Sequence, residues 1–448
     1  MSLAGLLAAN GILGLSGAGV LMLCGTWDRL RPASRIAPAL LAGFALAAVA
    51  LPPLIYAGLA PTPLLAAAIA LAALAAGLAR RRARARPAFD GSGGGLTFAA
   101  IAAAAGLPFI LRTASEPLLK FDAYADWTLK AKLLLSHGGL IAGGLDMGTL
   151  SSSYAASHRE YPLGLPSVEA VDFHLMGSAD ARLIHFQFAL LVAAFAGTIW
   201  SLTRHRVRPA ILAATLLLLF VAPSLHTQVL AGYADVPIAC LWAAAALAIG
   251  LWLLGDGEDR LLLGALLAAG ALATKQEGVV LDAALFAAAG VVLAARRSPG
   301  AAQRFAIAAG AVSLTAIPWQ WWVRAHHLHD ADISPSLGRM ARQAHSLPTI
   351  VHRLGAELVW LKWPGIVALA VLAALILAVR RRDAVAGGYL LLLAFSMAGL
   401  VVVYWNARIP VAGLLAQSAE RVVTGPVLLS IAALPLLIAR LGVEPPSS

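Results

Sequence analysis

The chain has 448 residues, 60% of them hydrophobic and 12% charged, with a formal net charge of +11. A soluble domain carries about a quarter charged residues, so this composition excludes one and marks an integral membrane protein. The basic residues sit in short clusters between apolar runs, which accounts for the charge by orientation in a bilayer and excludes a nucleic-acid binder.

A run of about 20 apolar residues crosses the hydrocarbon core as a helix, and about thirteen can be marked. In chain order they lie near 2–24, 37–59, 63–80, 97–112, 183–203, 209–223, 234–254, 260–274, 278–295, 305–323, 355–379, 386–404 and 423–440. The expected fold is therefore all-α and polytopic. The first run lacks a basic leader and is followed by arginines, which predicts an uncleaved helix with its amino terminus outside. Cytoplasmic flanks collect Lys and Arg. "WDRLRPASR", "RRRARAR", "RHRVR", "DGEDR", "RRSPGAAQR", "RRRD" and the closing "ARLGVEPPSS" all fall on one side of that topology. By count that side holds about 19 basic and 7 acidic residues, against about 14 of each outside. The carboxyl terminus is then cytoplasmic. Cys24 and Cys240 fall at the end of one run and inside another, so neither a disulfide framework nor a thiolate metal site is expected.

Three regions follow: 1–96, with extra helices and a basic loop; 97–323, a membrane module whose external loop spans 113–181; and 324–448, a second external loop and the last helices. The cytoplasmic loops are short arginine punctuation and the external ones are long and mixed, which is where binding and chemistry sit on a membrane scaffold. In "KFDAYADWTLKAK" a short interfacial helix would place Asp122, Asp126 and Lys130 on one face at i, i+4 and i+8. Two acids then line one side; the alternative is a solvated amphipathic face with Asp126 paired to Lys130. Lys275 and Glu277 occupy a turn of a few residues in "ALATKQEGVVL", at a depth where ionisable groups are costly unless paired or functional. Lys275 either snorkels to the headgroups or meets a ligand anion, with Glu277 orienting it. Arg421 in "SAERVVTGP" repeats the pattern before the last run, and Arg159 and Tyr161 in "SHREYP" are further candidates. Asp235 in "GYADVP" opens a helix and reads either as a cap or as a site residue.

These pieces, "FDAYADW", "REYPLGLP", "GYADVPIA", "ATKQEG" and "SAERVV", resemble in their order and sidedness the polyprenyl-phosphate-dependent glycosyltransferases of the GT-C fold. The group containing protein mannosyltransferases and the lipid A aminoarabinose transferase is the most similar. The resemblance runs from about Pro108 to Val423, with two departures. Three extra helices come before the one that leads into the external loop at 113–181, and the acids are spaced Asp-x-x-x-Asp. It implies a sugar carried on a polyprenyl phosphate and an acceptor that is a glycan, lipid or protein; the high alanine and arginine content, with no organelle signal, points to a bacterial inner membrane. The resemblance also implies Asp122 as general base, with Asp126 as the second candidate. The chemistry asks for the same residue types: a carboxylate to take the acceptor proton, and cations to stabilise the leaving phosphate.

"HHLHDAD", from His326 to Asp332, offers imidazoles and carboxylates to a divalent metal, but no helical ligand spacing fixes a site; the resemblance leaves metal dependence open, and no other cofactor is expected. A lipid-linked glycan ligase or polymerase is the alternative, since Arg324, Arg339 and Arg342 beside that cluster would serve it. A transporter or flippase would scatter ionisable groups mid-span, where Asp282 is nearly alone.

Overall fold

The computed structural model describes residues 3–81, 106, 108–109, 111–113, 120–140, 158–330, 332–333, 335–359 and 362–442. Among these the chain is helical, and nine helices are long and apolar enough to cross a membrane. It is a polytopic membrane protein. The run expected at 97–112, the basic loop "RRRARAR" beyond Arg81 and the stretch "HGGLIAGGLDMGTLSSSY" beyond residue 140 lie outside the described residues for the most part.

Helices α1 (Leu3–Cys24), α2 (Ile36–Tyr56) and α3 (Pro63–Arg81) form an amino-terminal group. Small residues let their backbones touch: Gly17 of α1 faces the Ala39 carbonyl of α2, and Gly43 of α2 faces the Leu13 carbonyl of α1, so a Cβ at either glycine would clash. After one π-helical turn, Ala123–Trp127, come α4 (Thr128–His137) and the buried α5 (Gly164–Met176), which packs on α1, α2 and α4. Next are α6 (Ala181–Thr203), α7 (Pro209–Phe220) and α8 (Pro223–Ala231). α9 (Asp235–Leu253) is the central pillar, enclosed by α6, α10 (Glu258–Thr274), α11 (Glu277–Ala295) and α19 (Thr424–Leu441). Trp242 on this helix is fully buried and donates to the Leu281 carbonyl at 2.9 Å. The remaining helices are α12 (Pro299–Leu314), α13 (Ile317–Ala325), α14 (Leu337–Arg342), α15 (Leu347–Val359), α16 (Ile366–Arg381), α17 (Ala384–Trp405) and α18 (Val411–Val422).

Several boundaries differ from the hydrophobic pattern. The run near 209–223 is half of a pair, α7 and α8, bent by 54° where Pro223 starts a new helix. The run near 355–379 is cut at Trp363–Pro364–Gly365: α16 starts only at Ile366, behind Gly365 at φ 64°, and α15 is a separate helix. α15 buries Ile350 and Leu354 against α17 and α18 while Val351 and Val359 stay exposed. α10 has 17 residues, about 25 Å, at the short limit for a crossing, and runs from the Asp259 end of the bundle to the Lys275 end.

The arginine clusters meet at one end of the bundle. Arg206 pairs with Asp256, Arg29 with Asp259 at 3.1 Å, Arg81 with Asp28 at 2.8 Å and Arg304 with Glu258 at 3.0 Å. Asp256 and Asp259 follow the last turn of α9, so the opposite end of that pillar, at Asp235, is where the other charged residues gather.

A charged cleft at the far end of the pillar

Each charged group at that end is set in place by a helix terminus. Asp235 is the first residue of α9, and Lys275 stands in extended conformation in the two-residue turn from α10 to α11. The Lys275 ammonium reaches the Asp235 carboxylate at 2.9 Å and the Glu277 carboxylate at 2.8 Å. Burial opposes its charge, but the two carboxylates outweigh that and hold the group above the ordinary lysine range. Gly278 makes the tight turn possible, since a Cβ there would lie 2.7 Å from the Ala271 carbonyl oxygen. The helix cap before Asp235 is Ala234, with no side-chain bond, so the capping explanation for Asp235 gives way to the ion pair. The snorkelling explanation for Lys275 gives way too, because the ammonium points into protein.

Arg421 ends α18. Its neighbour Glu420 is anchored by Ser224 at 2.7 Å and by Lys362 at 2.9 Å, and Thr424 binds Gln228 at 2.7 Å, which fixes the backbone on both sides. The Arg421 guanidinium lies over the Tyr233 ring, 4.3 Å from its centroid, and pairs with the Asp122 carboxylate.

Asp122 and Asp126 do not share a solvated face. The π turn between them leaves Asp122 at 40% side-chain exposure, and Asp126 at 2% and paired with the fully buried Lys130. Lys130 donates to the His158 carbonyl at 2.6 Å, which ties the start of α4 to the segment leading into α5. His158 stacks on Tyr161 at 4.6 Å and bonds Glu160 at 3.2 Å, with Asp332 at 3.7 Å. Burial lowers the imidazole pKa, but the Glu160 hydrogen bond and the charges of Asp126, Glu160 and Asp332 more than offset this and raise it. Burial pushes the Asp126 carboxyl up, with Lys130 pulling back only in part.

All these groups open into one cleft of about 790 Å³ counting its mouth, lined by Asp122, Asp126, Trp127, His158, Tyr161, Asp235, Lys275, Glu277, Asp332 and Arg421 together with Tyr404, Gln417 and Ser418. Seven of the eight residues singled out from sequence therefore face one space. The eighth, Arg159, is half-buried and does not line it; its neighbour His158 does. Sequence reasoning does not single out His158 and reads Asp332 only as the end of "HHLHDAD", since neither stands at the end of an apolar run. Of the histidine-rich segment, His326 is turned onto Trp322, and Asp330 accepts the Gln276 amide at 2.7 Å. Asp330, His158 and Glu160 place ligand atoms within 4.8 Å of one another, a grouping that could hold a metal ion. Arg324, Arg339 and Arg342 do not line the cleft. Tyr404 and Ser418 close its wall through a 2.7 Å hydroxyl contact.

The lining holds five carboxylates, of Asp122, Asp126, Asp235, Glu277 and Asp332, against two fixed cations and His158. No family model, curated protein or solved structure matches the chain.

Proposed function

We propose that the chain is a membrane glycosyltransferase that takes a sugar from a polyprenyl phosphate at the cleft and passes it to an acceptor hydroxyl, with Asp122 as general base. The observation that carries this reading is the half-exposed Asp122–Arg421 pair at the mouth of a membrane-facing bundle. The acceptor oxygen forms a bond to the anomeric carbon, its proton passes to Asp122, and the carbon–oxygen bond to phosphate breaks with its electron pair on the phosphate. As Asp122 becomes neutral it releases its claim on Arg421, whose charge then meets the growing negative charge of the leaving phosphate. Lys275 is already satisfied by two acids, so its part is to hold α9 and α11 in place beside the site. The alternative of an arginine- and histidine-based ligase is weakened, since the arginines of 324–342 lie off the cleft.

The test is transfer of labelled sugar from polyprenyl phosphate in detergent, with donor affinity measured in parallel. Asp122→Asn should lower turnover at least about 100-fold while donor affinity holds or tightens, because Arg421 is freed. Arg421→Met should weaken donor binding. Near-normal turnover in Asp122→Asn, or a wild-type protein that binds no polyprenyl phosphate, overturns the reading.

A further inference from the structure

At the arginine end of the bundle, α9, α11, α17 and α19 part to leave a groove of about 780 Å³ counting its mouth. It begins on α9 at Ala246, eleven residues and about 16 Å along the helix from Asp235. Its walls are apolar, mostly leucine and other large side chains, and are opened by small residues on facing helices: Gly250 on α9, Ala288 and Ala289 on α11, Ala384 and Gly388 on α17. A Cβ added at Gly250 would meet nothing within 4 Å, and one at Gly388 only the Val292 methyl at 3.5 Å. The space is thus absent side chain and not a seam between packed ones. The one hydroxyl on the wall, that of Tyr389, is consumed by Ser430 at 2.8 Å. Arg296, at the mouth, donates to the Leu253 carbonyl at the end of α9 and is the only charged residue in the lining.

We infer that this groove is a binding site for one acyl chain of an anionic phospholipid, with its phosphate at Arg296. Water gains nothing in a wall that offers it no partners, and an empty slot would forfeit dispersion contacts along its length, so in a bilayer hydrocarbon fills it. A chain entering from the arginine end brings its headgroup to Arg296, beside Arg297 and the other basic loop residues. This charge complementarity selects an anionic headgroup over a zwitterionic one, at about one kcal/mol per basic residue near the surface, or about fivefold. The site does not rest on the transferase proposal: it uses other residues, at the other end of the pillar, and would serve any protein with this bundle.

The experiment is native mass spectrometry and thermal denaturation of the delipidated full-length protein, titrated with phosphatidylglycerol, phosphatidylcholine and polyprenyl phosphate. Wild type should retain phosphatidylglycerol at least about fivefold more tightly than phosphatidylcholine, and Arg296→Gln should cut that preference by about fivefold. Gly388→Leu places a side chain where the acyl chain would lie, so it should lose lipid retention while its lipid-free melting temperature stays at or above wild type. That second readout separates a filled groove from a damaged fold; Gly250→Leu gives the same comparison from the facing helix. Equal retention of the two phospholipids by wild type, undiminished retention in Gly388→Leu and Gly250→Leu, or displacement of phosphatidylglycerol by polyprenyl phosphate from this groove would each overturn the assignment.

Discussion

The Asp126–Lys130 pair shows what an i, i+4 spacing means once burial is known. On a solvated face it would contribute a few tenths of a kcal/mol; with Lys130 fully buried and also bonded to the His158 carbonyl, removing one partner leaves an uncompensated charge in the interior. Asp126→Ala is therefore expected to destabilise the protein by about 3 kcal/mol, read as a lower unfolding midpoint in detergent, where the half-exposed Asp122→Asn changes stability little. His158 makes the pH dependence visible. Its folded-state pKa is raised, so its stabilisation is complete below the ordinary imidazole value of 6.5 and is lost as pH rises through the higher folded value. Asp126, also raised, acts in the same direction, since the folded state holds its proton more tightly. The melting temperature should be higher at pH 6 than at pH 8, and His158→Gln should shrink the difference; an unchanged difference would mean that the histidine is not coupled to its carboxylates. Charged residues such as Lys275 and Arg421 were legible in the sequence because ionisable groups at the ends of apolar runs are costly and stand out. Glu277, two residues from Lys275, was legible as its neighbour; Asp235 and the Asp122 partner of Arg421 were not, because those approaches, over 40 and 299 residues, are tertiary.

Among the elements, the turn between α10 and α11 is the clearest case of that limit. Read from sequence, Lys275 lacks an anion and asks for one from a ligand; in the fold Asp235 and Glu277 supply it. Lys275→Met should accordingly behave as a structural lesion, leaving two buried carboxylates without a cation and lowering the melting temperature, and Lys275→Met with Asp235→Asn should recover part of the loss. If the single variant keeps wild-type stability and loses only donor affinity, the lysine faces the ligand after all. The broken helices follow a related logic. Hydropathy sees apolar residues through Pro223 and through Trp363–Pro364–Gly365, but proline removes the backbone donor that a continuous helix needs, so the chain changes direction where the average does not. α15 and α18 are short and amphipathic, and their apolar stripes pack on each other beneath the cleft; a window sized for a bilayer crossing merges such helices with their neighbours.

At the scale of the whole molecule, the gathering of arginine loops at one end and of the cleft at the other was legible, since charge placement and helix number constrain each other. The side each end faces is open to direct test. In a background of Cys24→Ser and Cys240→Ala, a membrane-impermeant thiol reagent applied to intact cells should label Ala344→Cys, near the cleft, and spare Gly300→Cys, at the arginine end. The reverse pattern would turn the protein over and put the cleft in the cytoplasm. The Asp122–Arg421 pair joins residues 299 positions apart, and Arg421 is held by contacts to α8 and by the start of α19. During synthesis the segment carrying Asp122 emerges long before Arg421 exists, so for most of translation Asp122 lacks this cation and the cleft lacks the side that α18 supplies. The site is completed only once α18 has been made, and a chain that stops short of α18 would insert most of these helices and still lack the Arg421 that pairs with Asp122 and lines the cleft.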